Sequence, residues 1–314
     1  MSVSPLQLVF CGTPQFAVPT LEKLVEAGFA VRLVVTQPDR RQGRGMELSA
    51  PPVKRRAIEL GLPITQPEKI KNNNEFREQL SDINPEAIVV VGYGRIIPQW
   101  MIDLPPLGNI NLHASLLPKY RGAAPIQWAI AGGETITGVT TMRIDAGLDT
   151  GDILLQKEVS IDPRDTAVTL APRLAQIGAD LVVKTLRALQ MNELYPRKQD
   201  DNAASLAPIL KKEDGRIDWH VSAREIYNRL RGFQPWPGAF TSFRGKNLNI
   251  WQAEPIFRNV AAGELLLDDT GLLVGCAGGT ALDLQEVQPE GKKRMFAADF
   301  IHGYRPRPGE RLGG

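Results

Sequence analysis

Two short apolar runs with a helical pattern between them open the sequence, and this order restricts the fold more than any other feature. The run Leu6–Cys11 is followed by the turn Gly12-Thr-Pro14, and apolar residues then recur at helical spacing over Phe16–Glu26. A second apolar run occupies Ala30–Thr36. A strand, a helix and a second strand in this order predict a βαβ unit, with parallel strands and a right-handed crossover.

The same alternation continues to residue 191, apart from one long segment. Residues 37–52 contain Gly43, Gly45 and three prolines, and they show no clear period. A connection of this length in a compact domain is usually functional or mobile. Further strands are predicted over 63–65, 87–91, 108–113, 138–144 and 153–159, and further helices over 53–60, 74–81, 123–131 and 166–191.

The pattern changes after a polar stretch at residues 192–205, which has the composition of a linker. One amphipathic helix over Ala223–Arg231 is followed by short strand-like runs separated by turn residues. This order predicts a small β-barrel with one helix. We therefore expect two domains, residues 1–191 and residues 206–314, joined by the linker.

Composition excludes several classes of protein. The formal net charge is +2, which argues against a protein that coats nucleic acid by bulk charge but leaves room for a local basic patch. The two cysteines lack a metal-ligand spacing, so we expect a reducing compartment and no metal site. No apolar run reaches the length of a spanning helix and no secretory signal is visible, so we expect a cytoplasmic protein without membrane contact.

The segment Asn109–Pro118 is the first candidate for chemistry. Alternate side chains of a strand share a face, so Asn111 and His113 point the same way. Open α/β sheets bind ligands where parallel strands end. The loop from Ser115 to Pro118 could offer main-chain hydrogen bonds to a flat heterocycle, with Leu116 and Leu117 packed near it. The structural alternative is a strand-to-helix connection in which these polar groups satisfy a turn.

Three carboxylates follow among glycines, at Asp145, Asp149 and Asp152. Asp and Gly together also form turns, so each carboxylate has a structural alternative. At least one could lie beside His113 and hold it charged and oriented. The spacing does not decide which one.

Taken together, four motifs resemble the folate-dependent formyltransferase family: Asn111-x-His113, Ser115-Leu-Leu-Pro118, Arg121-Gly122 and Leu148-Asp-Thr-Gly-Asp152. Smaller matches resemble the members of that family that act on methionyl-tRNA: Gly12-Thr-Pro14, Pro38-Asp39, Gly43-Arg-Gly45, Arg216-Ile-Asp-Trp219, Pro235-Trp-Pro237 and Gly309-Glu-Arg-Leu312. The resemblance runs from about residue 6 to residue 312. It implies a Rossmann-like α/β domain followed by an oligonucleotide-binding (OB)-like β-barrel.

The resemblance also implies a reaction. The formyl group of 10-formyltetrahydrofolate would pass to the α-amino group of methionine on initiator methionyl-tRNA, giving N-formylmethionyl-tRNA for translation initiation. Asn111, His113 and Asp149 would be the catalytic residues, and no metal would be needed. Ser115, Leu116, Leu117 and Pro118 would bind the folate.

The resemblance places the loop that holds Arg44 near the acceptor end of the tRNA. The candidate tRNA contacts are therefore Arg40, Arg41 and Arg44, with Lys292, Lys293 and Arg294 in the second domain. A charged run of this kind can equally be a solvated face. A monomer is expected.

Three alternatives share part of these features. A formyltransferase for a small amine, such as glycinamide ribonucleotide or an amino-sugar nucleotide, would contain the same central motifs. A nucleotide-dependent oxidoreductase fits the βαβ opening, but Gly12-Thr-Pro14 replaces its Gly-x-Gly-x-x-Gly turn. A tRNA-binding protein without activity would not need Asn, His and Asp at one sheet edge.

Overall fold

The computed structural model describes residues 5–42, 47–268 and 271–313. The chain forms two compact units. The first contains Met1–Pro125, Ile136–Ser160 and Ala171–Ala207, and the second contains Ile126–Thr135, Ile161–Leu170 and Pro208–Gly314. Two short segments that precede the expected linker therefore belong to the second unit, whereas we expect a single division at the linker.

The elements up to residue 190 follow the predicted order, with three short additions at residues 40–42, 47–49 and 99–102 that the apolar pattern does not indicate. In chain order they are β1 (Gln7–Gly12), α1 (Val18–Glu26), β2 (Ala30–Val35), β3 (Arg40–Gln42), β4 (Glu47–Ser49), α2 (Pro52–Glu59), β5 (Ile64–Thr65), α3 (Asn74–Ile83), β6 (Ala87–Val91), α4 (Gln99–Ile102), β7 (Asn109–His113), α5 (Pro125–Ala131), β8 (Ile136–Arg143), β9 (Ile153–Ser160) and α6 (Ala167–Gln190).

Seven of the described strands form one sheet in the order β5-β2-β1-β6-β7-β8-β9. The strands from β5 to β7 are parallel, and β8 and β9 are antiparallel to their neighbours. The central strands are almost wholly buried because their sequences are continuous apolar runs, as a sheet covered on both faces requires. The Rossmann-like parallel sheet is confirmed, with two antiparallel strands added at one edge.

Residues 37–52 contain regular structure that the sequence did not indicate. Strands β3 and β4 pair antiparallel, with Arg40 opposite Ser49 and Arg41 opposite Leu48. Strands of three residues are too short to show a period. Residues 43–46 lie outside the described residues.

Residues 192–205 were interpreted as a linker, but the first unit holds them by backbone hydrogen bonds. Arg197 exchanges two bonds with Ile153, at 2.8 and 2.9 Å. The amide of Arg121 donates to the carbonyl of Ser205 at 2.8 Å. The polar composition was misleading because these main-chain partners lie far away in the sequence.

Beyond residue 207, the described part of the second unit has an antiparallel sheet and two α-helices. Its elements are α7 (Ala223–Gly232), β10 (Ala239–Phe243), β11 (Lys246–Phe257), β12 (Leu265–Asp268), β13 (Gly271–Gly275), β14 (Thr280–Pro289), β15 (Met295–Phe296) and α8 (Ala297–Tyr304). The strand order is β10-β11-β14-β13-β12, with β15 paired to β14. Among the described residues this order ends at β10 and β12, so strand pairing alone does not close the expected barrel.

The core of the second unit lies between its sheet and its helices. Ile226 and Leu230 of α7 and Phe300 of α8 pack with Leu248, Leu284 and other inward residues of the strands. Ser222 caps α7, since its side chain accepts a hydrogen bond from the amide of Glu225. In the described parts of the chain, no helix is both long and apolar enough to cross a membrane.

Candidate active site

Strand β7 carries three polar side chains on one face of the first unit's sheet. It lies between β6 and β8, with Asn111 opposite Val90 and Met142. Asn109, Asn111 and His113 alternate with buried apolar residues and so face the same side. Asn111 is half-buried, and its side chain has no hydrogen-bond partner among the described residues. Its amide is therefore available to a ligand.

The two ring nitrogens of His113 both face oxygen atoms. Nε2 lies 2.9 Å from the carbonyl oxygen of Tyr120, and Nδ1 lies 3.6 Å from Oδ2 of Asp149. The first distance is that of a hydrogen bond. The second is too long for a hydrogen bond and fits an ion pair. An imidazolium, which has two N–H donors, can use both acceptors. The His113 ring is 6% exposed, so water weakens this interaction little.

Of the three candidate carboxylates, the structure brings Asp149 beside His113. The loop between β8 and β9 places Asp149 in the left-handed region, at φ 52°. Its Oδ2 accepts a hydrogen bond of 2.9 Å from the amide of Gly122. Its Oδ1 accepts none from the described part of the chain, so this oxygen can receive a proton.

Asp145 instead stabilises the loop itself. Its carboxylate accepts hydrogen bonds from the amide of Gly147 at 3.0 Å and from the hydroxyl of Thr150 at 2.8 and 2.9 Å. Asp152 is half-buried, and its carbonyl accepts from the amide of Arg143 at 2.9 Å. Neither makes a described contact with His113.

The segment from Ser115 to Pro118 is more enclosed than we expected. Ser115 is fully buried and Leu117 is 3% exposed, while Leu116 and Pro118 are half-buried. The hydroxyl of Thr140 donates to the carbonyl of Ser115 at 2.7 Å and accepts from the amide of Leu117 at 3.2 Å. The main-chain groups that we expected to meet a heterocycle are thus already bonded within the protein.

An apolar groove, which the sequence did not indicate, lies beside the loop between β8 and β9. Its volume is about 550 Å³, and it is lined by Lys69, Ile70, Lys71, Asn72, Arg95, Ile96, Ile97, Pro98, Gln99, Ile102 and Ala146. Ile96, which lines this groove, is 92% exposed. The only sequence signal is the apolar pair Ile96-Ile97 that follows Gly92-Tyr-Gly94.

Asn109 supports one wall of this groove. Its amide nitrogen donates to the carbonyl oxygens of Met101 and Ile102 at 2.9 and 3.0 Å. Asn109 is 1% exposed. Strand β7 therefore supplies a structural support and the two candidate catalytic side chains from one face.

The base of the β3–β4 hairpin is fastened by a polar network. The ammonium of Lys54 lies 2.8 Å from Oδ2 of Asp39, and the amide of Gln66 donates to Oδ1 at 2.8 Å. Gln66 and Lys54 hold the pKa of Asp39 below its usual range. Gln37 donates to the carbonyl oxygen of Tyr93 at 2.9 Å, which ties the hairpin to the loop after β6.

The candidate tRNA-binding side chains differ in their surroundings. Arg40 and Arg41 are exposed, and Arg40 donates to the side chain of Gln37 at 2.7 Å. Arg44, the residue expected to reach the tRNA, lies outside the described residues. In the second unit, the side chains of Lys292 and Lys293 are exposed.

Arg294 is already engaged within the second unit. It forms an ion pair with Glu286 and lies over the ring of Trp251, 5.2 Å from its centroid. These contacts hold the guanidinium in place and reduce its availability to a phosphate. Both cysteines are unsuited to nucleophilic catalysis, since burial raises the pKa of Cys11 and raises the pKa of Cys276 to about 12.

Comparison with known proteins gives a consistent family. The model of the formyl transferase family matches residues 6–186, and that of the formyl transferase C-terminal domain matches residues 209–305. A methionyl-tRNA formyltransferase of Koribacter versatilis (strain Ellin345) is 66% identical over 306 residues, covering 98% of this chain and 98% of that protein. Another, of Acidobacterium capsulatum, is 59% identical over 317 residues, covering 98% of this chain and 100% of that protein.

Solved structures share the fold at low sequence identity. An N-formyltransferase from Helicobacter canadensis, in complex with folinic acid and dTDP-3-aminofucose, has a TM-score of 0.67 and 20% identity, covering 89% of this chain and 99% of that one. HypX from Aquifex aeolicus, in complex with tetrahydrofolic acid, has a TM-score of 0.61 and 16% identity, covering 98% of this chain and 49% of that one. At these identities the likeness concerns the fold alone.

Proposed function

The chain belongs to the formyl transferase family, and we propose that it transfers the formyl group of 10-formyltetrahydrofolate to the α-amino group of methionine on initiator methionyl-tRNA. The observation that carries this proposal is the position of Asp149, 3.6 Å from His113 on the face that also presents Asn111. The choice of acceptor is supported by relatives that are 66% and 59% identical over nearly the whole chain. The reaction would take place in the cytoplasm, with the enzyme as a monomer.

The chemical step joins an amine to a formyl carbon. A free α-amino group has a pKa of about 7.7–8.0, so part of it is neutral near pH 7. As its nitrogen attacks, a C–N bond forms and the carbonyl oxygen becomes an oxyanion. The unoccupied amide of Asn111 donates to this oxyanion. Losing one such donor typically lowers the rate by about 10²–10³.

One proton must then move in two transfers. The attacking amine loses a proton to the free Oδ1 of Asp149, directly or through water. As the oxyanion re-forms the carbonyl, the bond between the formyl carbon and N10 of the folate breaks, and N10 takes the proton that Asp149 received from the amine, directly or through water. An imidazolium at His113 balances the charge of Asp149 and adds positive charge beside the oxyanion. No covalent enzyme intermediate is needed, which agrees with the buried state of both cysteines.

The groove beside Ile96 and Ile97 is the place where we expect the folate. A flat heterocycle fits an apolar groove with few polar groups, and Ala146 in its wall belongs to the loop that carries Asp149. Lys69, Lys71 and Arg95 on its lining suit the carboxylates of the folate glutamate tail. Leu116 and Pro118, which are half-buried, remain the members of the predicted segment that a ligand could touch.

The tRNA would be bound by exposed cations in both units. Arg40, Arg41, Lys292, Lys293 and Arg294 are all exposed, and Arg294 is in addition paired with Glu286 and placed over the ring of Trp251. We propose that residues 1–191 supply the chemistry and that residues 206–314 contribute to tRNA binding. Phosphate contacts of this kind would make binding weaken with salt.

A panel of acceptors tests the function. The purified protein and 10-formyltetrahydrofolate are mixed with initiator methionyl-tRNA, elongator methionyl-tRNA, free methionine or an amino-sugar nucleotide. We expect efficient formylation of the initiator methionyl-tRNA and little of the others. Comparable kcat/KM values with the amino-sugar nucleotide, or no transfer to any methionyl-tRNA, would refute the proposal.

The Asp149→Asn variant tests the mechanism. It keeps the size of the side chain and removes the base, so we expect single-turnover formylation to fall by about 10²–10⁴. Asp145→Asn is the matched control, because Asp145 stabilises the same loop without reaching His113. A decrease of less than tenfold for Asp149→Asn would contradict the assigned role.

A further inference from the structure

Asp149 has a backbone conformation that other residues must maintain. Its φ of 52° lies in the left-handed region, which side chains larger than Asn or Asp rarely adopt. Apart from the ion pair with His113, the carboxylate has one described hydrogen bond, from the amide of Gly122. A catalytic carboxylate in this conformation needs support from outside its own loop.

Gln199 supplies that support from the segment that follows α6. Its amide nitrogen donates to the carbonyl oxygen of Asp149 at 2.8 Å and to that of Gly151 at 2.7 Å. The two N–H groups of one amide thus hold the peptide on the C-terminal side of Asp149 and the peptide two residues further on. Gln199 is half-buried, so these bonds are partly shielded from water.

Gln199 is itself held in one orientation by Arg121. The Nε of Arg121 donates to Oε1 of Gln199 at 3.0 Å. An amide whose oxygen accepts from a guanidinium must present its nitrogen on the opposite side, towards the loop. Arg121 is 7% exposed, and its Nη2 pairs with Asp201 at 2.8 Å.

The network closes on the same carboxylate. Arg121 is followed by Gly122, whose amide donates to Oδ2 of Asp149. The main chain of Arg121 pairs with Ser205 and Ala207, in the same segment that carries Gln199. The segment 199–207 therefore contains one support of Asp149, the side chain of Gln199. Its backbone also binds Arg121, the neighbour of the second support, Gly122.

From this arrangement we infer that Gln199 is a positioning residue for the transfer reaction: it fixes the main chain of Asp149 so that the carboxylate stays beside His113. This inference rests on the proposed function. Gln199 touches neither substrate nor reacting atoms in this role, and it acts through Asp149 alone. A displacement of about 1 Å at a catalytic group can lower a rate by about 100-fold.

The test compares Gln199→Met with a control, Gln79→Met. Methionine has nearly the shape of glutamine but lacks its donors and acceptor, and Gln79 is an exposed residue of α3 without a role in the site. For Gln199→Met we expect the single-turnover rate of initiator methionyl-tRNA formylation to fall by about 10–100-fold. The KM values for tRNA and folate should stay within about twofold, because no contact with either substrate is removed. Gln79→Met should match the wild type.

A double-mutant cycle separates positioning from general support of the structure. In the Asp149→Asn background, Gln199→Met should lower the remaining rate by less than about twofold, since a residue that acts only through Asp149 has nothing further to lose. Effects that multiply in this background would overturn the inference. So would a wild-type rate for Gln199→Met.

A second variant, Gln199→Glu, keeps the acceptor for Arg121 and places a carboxylate oxygen against the two loop carbonyls. It should be at least as slow as Gln199→Met, and a wild-type rate would again overturn the inference. The outcomes also distinguish this inference from the function: a fast Asp149→Asn enzyme refutes the proposed mechanism, whereas a slow Asp149→Asn enzyme with fast Gln199 variants refutes the positioning role alone.

Discussion

Asn109 and Asn111 stand two residues apart on β7 and face the same side of the sheet, but their amides have different surroundings. The amide of Asn109 is buried and donates to two main-chain carbonyls. The amide of Asn111 is half-buried and has no partner among the described residues. The same side chain thus serves structure at one position and is free for a ligand at the other.

This difference predicts opposite effects of one substitution. Asn109→Leu leaves the carbonyls of Met101 and Ile102 without their donor. We therefore expect the free energy of unfolding, measured in urea, to fall by about 1–3 kcal/mol. Asn111→Leu removes no internal hydrogen bond and should change stability little, but it should slow single-turnover formylation by about 10²–10³. A large stability loss for Asn111→Leu, together with a normal rate, would show that the roles are exchanged.

The choice among three aspartates shows what a residue pattern can and cannot predict. The pattern placed Asn111 and His113 on one face, because strand alternation is a local property. It left Asp145, Asp149 and Asp152 equal, because their positions depend on a left-handed turn and on the amide of Gly122, 27 residues away. The family resemblance named Asp149, and the geometry places that residue beside His113.

At the scale of elements, strands with apolar runs were predictable and short polar elements were not. β1 contains four successive apolar residues, Leu8–Cys11, and β6 contains five, whereas β3 and β4 have three residues each. The hairpin depends instead on its base, where Asp39 meets Gln66 and Lys54. Neither contact has a local sequence signal, since the partners lie 27 and 15 residues from Asp39.

The pKa of Asp39 reports directly on its contacts with Gln66 and Lys54. Gln66 and Lys54 lower the pKa of Asp39 from its usual value. Their contacts with the carboxylate therefore stabilise the folded hairpin above the pH at which an unconstrained carboxyl titrates, about 3.9. That contribution is lost as the pH falls through the lower, folded pKa. By NMR titration, Gln66→Leu and Lys54→Met should each raise the pKa of Asp39.

Lys23→Met is the control for this titration, because Lys23 pairs with Glu26 and Asp180 instead. It should leave the titration of Asp39 unchanged. An Asp39 pKa that stays low in Gln66→Leu would mean that the network does not form in solution.

At the scale of the whole chain, the division into two units does not follow one cut in the sequence. Residues 126–135 and 161–170 belong to the second unit, although they precede the segment that we interpreted as a linker. There Trp128 lies edge-on to Phe233, with ring centroids 5.2 Å apart. Arg231 of α7 donates to the carbonyl of Asp165 at 2.8 Å. Composition showed a change at residue 192 but carried no sign of these long-range contacts.

This division predicts that a fragment of residues 1–207 will not fold as an intact catalytic domain. The fragment retains Trp128 and Asp165 but lacks Phe233 and Arg231, so the apolar surface of residues 126–135 loses its partners. Because exposed apolar surface and lost packing make unfolding less cooperative, we expect the fragment to bind the dye ANS and to melt broadly and at a lower temperature than the full chain. In the full chain, Phe233→Ala removes a large core side chain. We expect the free energy of unfolding to fall by about 3–5 kcal/mol and the melting temperature to fall with it. A fragment that melts as sharply as the full chain and does not bind the dye would show that residues 126–135 and 161–170 need nothing beyond residue 207.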